Sequence, residues 1–152
     1  VKAGLGFDTA LRIVNSALLA KSEDESFATL DLACFDFYSG RCAICKAGAA
    51  ASFLRRAGKA EVLECASMPT GILREARFSD FQTRLQPGDL IMLVSDGALD
   101  AGTGWILEEL NHFEGTNAQS LTDLISEEAA RRRTDGHEDD ITVVAGIVAK
   151  NI

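Results

Sequence analysis

The chain has 152 residues, of which 47% are hydrophobic and 25% are charged, and its formal net charge is −8 at pH 7. This length and composition are typical of one globular domain that can bury a hydrophobic core. The negative charge argues against nucleic acid as the main partner, because contacts to phosphates need a basic surface.

The first part of the chain predicts one helix followed by several strands. Apolar residues recur at helical spacing over residues 9–21, and Asp8 stands where an N-cap residue is expected. Residues 27–37 and 41–47 read as the two strands of a hairpin, because a turn containing Gly40 separates them. Further strands are predicted at residues 52–56, 61–65, 78–85 and 90–95.

The second part predicts two helices and a final strand. The helices cover residues 105–113 and 118–133, and the strand covers residues 141–148. Arg131 to Arg133 fall in the last turn of the second helix, where positive charge meets the negative helix end, and this interpretation is preferred to a binding patch. The order of helix, strands, two helices and strand predicts an α+β fold with mainly antiparallel sheets.

The four cysteines give no clear metal site. Cys42 and Cys45 have the spacing of half a zinc knuckle, but neither a second pair nor a suitably spaced histidine follows them. Strand alternation would place these two thiols on opposite faces of the sheet. Reduced thiols in a cytoplasmic domain are therefore expected, and the sequence has neither a signal peptide nor an apolar run of membrane-spanning length.

Two acidic turns carry the strongest chemical signal. Ser95-Asp96-Gly97 follows an apolar run that reads as a fully buried strand, and Asp139-Asp140 precedes another such run. If these two strands are antiparallel neighbours, both turns lie at the same edge of a sheet. Carboxylate oxygens grouped in this way suit hard divalent cations such as Mg²⁺ or Mn²⁺.

Several short motifs follow one another along the chain in a characteristic order. They are Phe-Ala-Thr-Leu-Asp-Leu at 27–32, Lys-Ala-Gly at 46–48, Ser-Phe-Leu-Arg-Arg at 52–56, Ala-Ser-Met-Pro-Thr-Gly-Ile-Leu at 66–73, Leu-Gln-Pro-Gly-Asp-Leu at 85–90, Ser-Asp-Gly at 95–97 and Asp-Asp-Ile-Thr-Val-Val at 139–144. With this order and spacing, the chain resembles the stage II sporulation protein E phosphatase domain. That domain is part of the type 2C superfamily of metal-dependent serine/threonine protein phosphatases.

The resemblance implies an αββα sandwich, of which this chain would form a part, and a centre of two Mn²⁺ or Mg²⁺ ions. Asp96 matches the ligand of the central Ser-Asp-Gly motif, and Asp139 matches a ligand in the closing motif. Asp140 matches a supporting polar position beside it, and Gly97 would let the backbone approach the metal site closely. The implied reaction is the attack of metal-activated water on the phosphorus of phosphoserine or phosphothreonine.

The family's earlier Asp-Gly-Met-Gly motif, whose Asp bridges the two metals, does not occur in residues 1–152. We therefore expect a single phosphatase-type domain that lacks its first strands and its first metal-binding motif, and that is close to inactive by itself. The alternative is a non-catalytic module for phosphoprotein binding or dimerisation on the same scaffold. A haloacid dehalogenase-type hydrolase is disfavoured, since the chain has no Asp-x-Asp motif.

The resemblance also implies a substrate and a setting. The expected substrate is a phosphorylated protein similar to an anti-sigma factor antagonist, acting in sporulation and sigma factor regulation. A homodimer is possible, and a membrane would be involved only through upstream segments, so the domain is expected to be cytoplasmic.

Three further polar residues have two interpretations each. His137 precedes the second acidic turn and is a candidate general acid for the leaving group, although an ordinary solvated histidine is the preferred interpretation. Asp100 could accept a hydrogen bond behind the metal ligands, but an exposed loop acid is the preferred interpretation. Asp31 is expected to be paired within the sheet or to face solvent.

Overall fold

The computed structural model describes residues 7–21, 27–64, 67–74, 78–133 and 139–149. Within these ranges the chain forms three α-helices, seven β-strands and a short 3₁₀ turn. In chain order they are α1 (Phe7–Lys21), β1 (Leu30–Asp36), β2 (Arg41–Ala47), β3 (Ser52–Arg56), β4 (Lys59–Leu63), β5 (Ser79–Arg84), β6 (Leu90–Val94), the 3₁₀ turn (Asp96–Ala98), α2 (Gly104–His112), α3 (Ala118–Arg132) and β7 (Val143–Ile147).

The strands form two sheets, and every pairing in them is antiparallel. One sheet has the order β1-β2-β5, and the other has the order β4-β3-β6-β7. The described part of the chain divides into two compact units, the first with α1, β1, β2 and β5 and the second with the remaining elements. Antiparallel sheets with flanking helices confirm the fold class that the order of elements predicted.

In the first unit, a loop is fastened to its surroundings by polar side chains. Asn15, a buried residue of α1, donates from Nδ2 to the carbonyl oxygen of Leu73 (2.9 Å) and accepts at Oδ1 from the backbone N–H of Gly71 (2.8 Å). Thr70 and Ala28 exchange two backbone hydrogen bonds of 2.9 and 3.0 Å. These contacts hold the loop that precedes β5 to both α1 and the chain before β1.

In the second unit, one face of the sheet packs against α2 and α3. Amphipathic periodicity places one apolar stripe of each helix toward the sheet, so that a single core forms between them. The buried members of this core are Phe53, Ala60, Leu90, Met92, Val94, Ala98, Trp105, Ile106, Leu110, Leu121, Ile125 and Ala129.

Two of the boundaries that differ from the sequence prediction are the starts of α1 and β1. α1 begins at Phe7, so Asp8 lies inside the helix and is not its N-cap residue. β1 begins at Leu30 and not at residue 27, because Ala28 pairs with Thr70 in an isolated bridge.

The last strand was expected to be fully buried, and this is wrong. β7 alternates between partly buried and exposed residues, and 57% of Val144 is exposed. Among the described residues β7 pairs on one side only, with β6, and packs against α3 on one face, so alternate side chains face outward. In the part of the chain that the structure describes, no helix is both long and apolar enough to cross a membrane.

Candidate metal centre

The pairing of β6 with β7 brings the two acidic turns to one end of the second sheet. The strands are antiparallel, with Leu90 opposite Ile147 and Val94 opposite Val143. Asp96 follows the end of β6, while Asp139 and Asp140 precede the start of β7. The expected arrangement of antiparallel neighbours is therefore confirmed, and both turns lie at the same end of the strand pair.

Ser95 joins the two turns by three hydrogen bonds. Its backbone N–H donates to the carbonyl oxygen of Thr142 (2.9 Å), and its Oγ accepts from the backbone N–H of Thr142 (2.9 Å). The same hydroxyl donates to the carbonyl oxygen of Asp140 (2.7 Å). The Ser of the Ser-Asp-Gly motif thus has a structural role, which the sequence analysis did not assign.

Gly97 is buried where the two turns touch. A Cβ atom at this position would lie 2.7 Å from the carbonyl oxygen of Asp140 and 3.2 Å from that of Asp139. Both values are below an ordinary van der Waals contact of 3.4–4 Å. Close packing of backbone on backbone is therefore the reason that this position needs glycine, since its φ is not in the left-handed region.

The carboxylates of both turns are exposed and oriented by local hydrogen bonds. Asp96 Oδ1 accepts from the backbone N–H of Gly97 (3.2 Å), and Asp139 Oδ1 accepts from that of Asp140 (3.1 Å). Within the described residues, Oδ2 of Asp96 and Asp139 accepts no hydrogen bond. Carboxylate oxygens of this kind fit Mn²⁺ or Mg²⁺. Over the same residues, no group of three or more His, Cys, Asp and Glu side chains could hold a metal ion.

Asp31 is paired within the sheet, as one of its two interpretations expected. It lies opposite Lys46 in the β1–β2 ladder, and the Lys46 ammonium group contacts Asp31 Oδ2 at 2.5 Å. The Lys46 side chain is fully buried, which the sequence did not indicate. Asp100 is exposed, as expected, and His137 lies outside the described residues.

Two arginines at the end of α3 contact other side chains of the second unit. Glu128 accepts from Arg131 Nη2 (3.0 Å) and from Arg132 Nε (2.7 Å). The Arg132 guanidinium also lies 5.1 Å from the ring centroid of Trp105, a buried residue in the first turn of α2. This cation–π contact joins α3 to α2, and nothing in the spacing of the two residues indicated it.

The cysteines behave as free thiols. Cys34 is exposed, Cys42 and Cys45 are buried, and none of these three forms a disulfide. Burial raises the pKa of Cys42, and Cys34 nearby adds to this effect. Cys65 lies outside the described residues.

Comparison with known sequences places the chain in a family. The sequence profile of the family "Stage II sporulation protein E (SpoIIE)" matches residues 1–146. The chain belongs to the stage II sporulation protein E family. It is 29% identical over 150 residues to stage II sporulation protein E of Bacillus subtilis, covering 95% of this chain and 18% of that protein. The chain thus spans less than a fifth of this curated relative.

Solved structures of the same Bacillus subtilis protein share the fold. Its PP2C phosphatase domain with a fragment of the regulatory domain matches at a TM-score of 0.84 and 28% identity, over 98% of this chain and 47% of that one. The phosphatase domain from crystals presoaked with Mn matches at a TM-score of 0.73 and 27% identity, over 99% of this chain and 70% of that one. Family membership and fold agree with the resemblance that the motifs of this chain indicated.

Proposed function

We propose that this chain is part of a metal-dependent protein serine/threonine phosphatase that hydrolyses phosphoserine on a regulatory protein. The observation that carries the proposal is the contact between the two acidic turns. Ser95 and Gly97 hold the Asp96 turn against the Asp139–Asp140 turn. Two carboxylates from separate parts of the sequence are thereby presented at one end of one strand pair.

In this proposal, Asp96 and Asp139 bind Mn²⁺ or Mg²⁺ through their carboxylates. Asp140 supports the site through its carbonyl oxygen, which the Ser95 hydroxyl fixes at 2.7 Å. Gly97 admits that carbonyl without a steric clash. A bound divalent cation lowers the pKa of water and offsets the charge of a phosphoryl group, which is the chemistry that phosphate ester hydrolysis needs.

The substrate proposed for this site is a seryl-phosphorylated protein similar to an anti-sigma factor antagonist, and a homodimer remains part of the proposal. Both come from the family resemblance. A cytoplasmic location agrees with such a substrate. We also propose that residues 1–152 alone turn over little, since they contain no Asp-Gly-Met-Gly motif to supply the bridging ligand.

The test uses the native chain extended upstream of Val1. Mn²⁺-dependent release of phosphate from a phosphoseryl anti-sigma factor antagonist is measured for the wild type and for Asp96→Asn and Asp139→Asn. Loss of a metal ligand is expected to reduce turnover by more than about 100-fold, since even outer-shell partners of a metal contribute 10–100-fold. Asp100→Asn is the matched control, because Asp100 is exposed and lies outside the proposed site.

The outcomes separate the two functions under consideration. If the extended wild type is active and both Asn variants keep its activity, the ligand assignment is wrong. An extended chain that binds the phosphoprotein without hydrolysing it would support the non-catalytic module. The 152-residue chain should bind Mn²⁺ weakly in calorimetry, and tight stoichiometric binding would contradict the proposed need for an upstream ligand.

A further inference from the structure

Two side-chain donors of the second unit are buried without an acceptor. In the part of the chain that the structure describes, neither Trp105 Nε1 nor Arg133 Nε has a hydrogen-bond partner. Trp105 lies in the first turn of α2, and Arg133 directly follows the last turn of α3. A buried donor without an acceptor is costly, and the cost is greater when the group is charged. Both donors can therefore bind an oxygen acceptor that another molecule supplies.

Arg133 differs from the two arginines that precede it. Glu128 accepts from both Arg131 and Arg132. The Arg132 guanidinium also packs on the Trp105 ring. Arg133 is half-buried, and across the described ranges its guanidinium group has no ion-pair partner. An anion would stabilise a charge in this position, and the planar donors of a guanidinium group fit the oxygens of a phosphate.

The end of α3 lies at the same end of the second sheet as the two acidic turns. α3 contacts the 3₁₀ turn that begins with Asp96. Ala129, in the last turn of α3, shares one core with Ala98 of the 3₁₀ turn. Asp139 also follows Arg133 closely in the sequence and precedes the start of β7. These contacts place Arg133 in the neighbourhood of the candidate metal centre.

We propose that Arg133 binds the phosphate of a phosphoserine in a protein substrate. The inference rests on the function proposed above and names a residue that recognises the substrate at the same site. A guanidinium group binds a phosphate or a carboxylate through two parallel hydrogen bonds. These bonds use both oxygens of a carboxylate, whereas a phosphate monoester keeps a further oxygen for a cation held by Asp96 and Asp139. This difference selects phosphate, since the acidic turns would repel a carboxylate that reaches no cation.

The test titrates the upstream-extended chain with the peptide acetyl-Gly-Ala-phosphoserine-Ala-Gly-amide in EDTA, so that binding is measured without turnover. NMR follows the Arg133 Nε–H and Trp105 Nε1–H signals directly. Saturable shifts of the Arg133 signal are expected, with a shift of the nearby Trp105 signal at the same peptide concentrations. The unphosphorylated peptide should shift neither signal.

Three variants separate a binding role of Arg133 from a general effect of charge. Arg133→Gln should weaken peptide binding by about tenfold or more, since it removes charge-assisted hydrogen bonds. Arg133→Lys keeps the charge without the bidentate geometry, so a smaller loss is expected. Arg131→Gln is the matched control, because it removes the same charge from a side chain that is 65% exposed and paired with Glu128. Its affinity for the peptide should equal that of the wild type. With Mn²⁺, kcat/KM for the phosphoseryl protein should fall by about tenfold in Arg133→Gln only.

Several results would overturn the proposal. They are an Arg133 signal that does not shift, equal binding of the analogue peptide acetyl-Gly-Ala-Glu-Ala-Gly-amide, and an equal loss of affinity in Arg131→Gln. If Arg133→Gln loses peptide binding but keeps kcat/KM, the residue binds a free phosphate ion and not the substrate. The proposed function fails separately: an extended chain that binds the peptide through Arg133 but releases no phosphate contradicts that function and leaves the binding site intact.

Discussion

Replacing Gly97 by alanine tests the close contact on which the candidate metal centre depends. The added Cβ would lie 2.7 Å from the Asp140 carbonyl oxygen, whereas ordinary contacts begin at 3.4 Å, so the two turns must separate by about 0.7 Å. The neighbouring atoms are backbone and cannot turn aside as a flexible side chain can. Overpacking of this kind typically costs about 1–3 kcal/mol of the free energy of unfolding.

The separation should also move the Asp139–Asp140 turn away from Asp96. We expect the Mn²⁺ affinity of the upstream-extended chain to fall by about 10–100-fold, as it does when the support of a metal ligand is lost. Calorimetry measures this affinity. Urea unfolding, followed by the fluorescence of Trp105, measures stability in the same unit.

Gly146→Ala is the matched control for Gly97→Ala. Gly146 lies in β7 opposite Ile91, and a Cβ there would meet no atom within 4 Å. The free energy of unfolding of Gly146→Ala should remain within about 0.5 kcal/mol of the wild-type value or increase slightly, since alanine lowers the entropy of the unfolded chain. If Gly97→Ala behaves in the same way in both assays, the two turns do not depend on their close approach.

Three other predictions concern the first unit. Asn15→Ala should lower the free energy of unfolding by about 1–3 kcal/mol, because it leaves buried backbone groups without their partner, while Ser16→Ala on the exposed face should have little effect. Asp31→Asn should cost about 3–5 kcal/mol, since it removes the carboxylate from the buried Lys46 ammonium, and the double variant Asp31→Leu with Lys46→Met should be less destabilised, both measured by urea unfolding followed by circular dichroism. The pKa of Asp36 should lie below its usual value in an NMR titration, and Ser39→Ala should raise it. Since the folded pKa of Asp36 is the lower one, its contribution to stability is present above the unfolded pKa and is lost as the pH falls through the folded value. A destabilised Ser16→Ala, an Asp31→Asn variant as stable as the wild type, or an unchanged Asp36 pKa in Ser39→Ala would contradict the respective prediction.

The local pattern of the sequence was sufficient to predict most helices and strands and to locate the acidic turns at strand ends. The apolar run from Leu90 to Val94, followed by Ser-Asp-Gly, predicts a buried strand that ends in carboxylates, and β6 has this form. Helical periodicity placed α2 and α3, because spacing along one helix depends only on neighbouring residues. Motif order along the chain was enough to indicate the family before any comparison.

Only the tertiary structure shows which distant residues meet. The contact of Gly97 with Asp140 depends on the β6–β7 register, and the burial of Lys46 depends on the whole environment of β2. The exposure of Val144 follows from its place on the outward face of a strand paired on one side only among the described residues. Sequence spacing determines which residues share a face of one element. It does not determine which element covers that face, since this depends on packing between residues far apart in the chain.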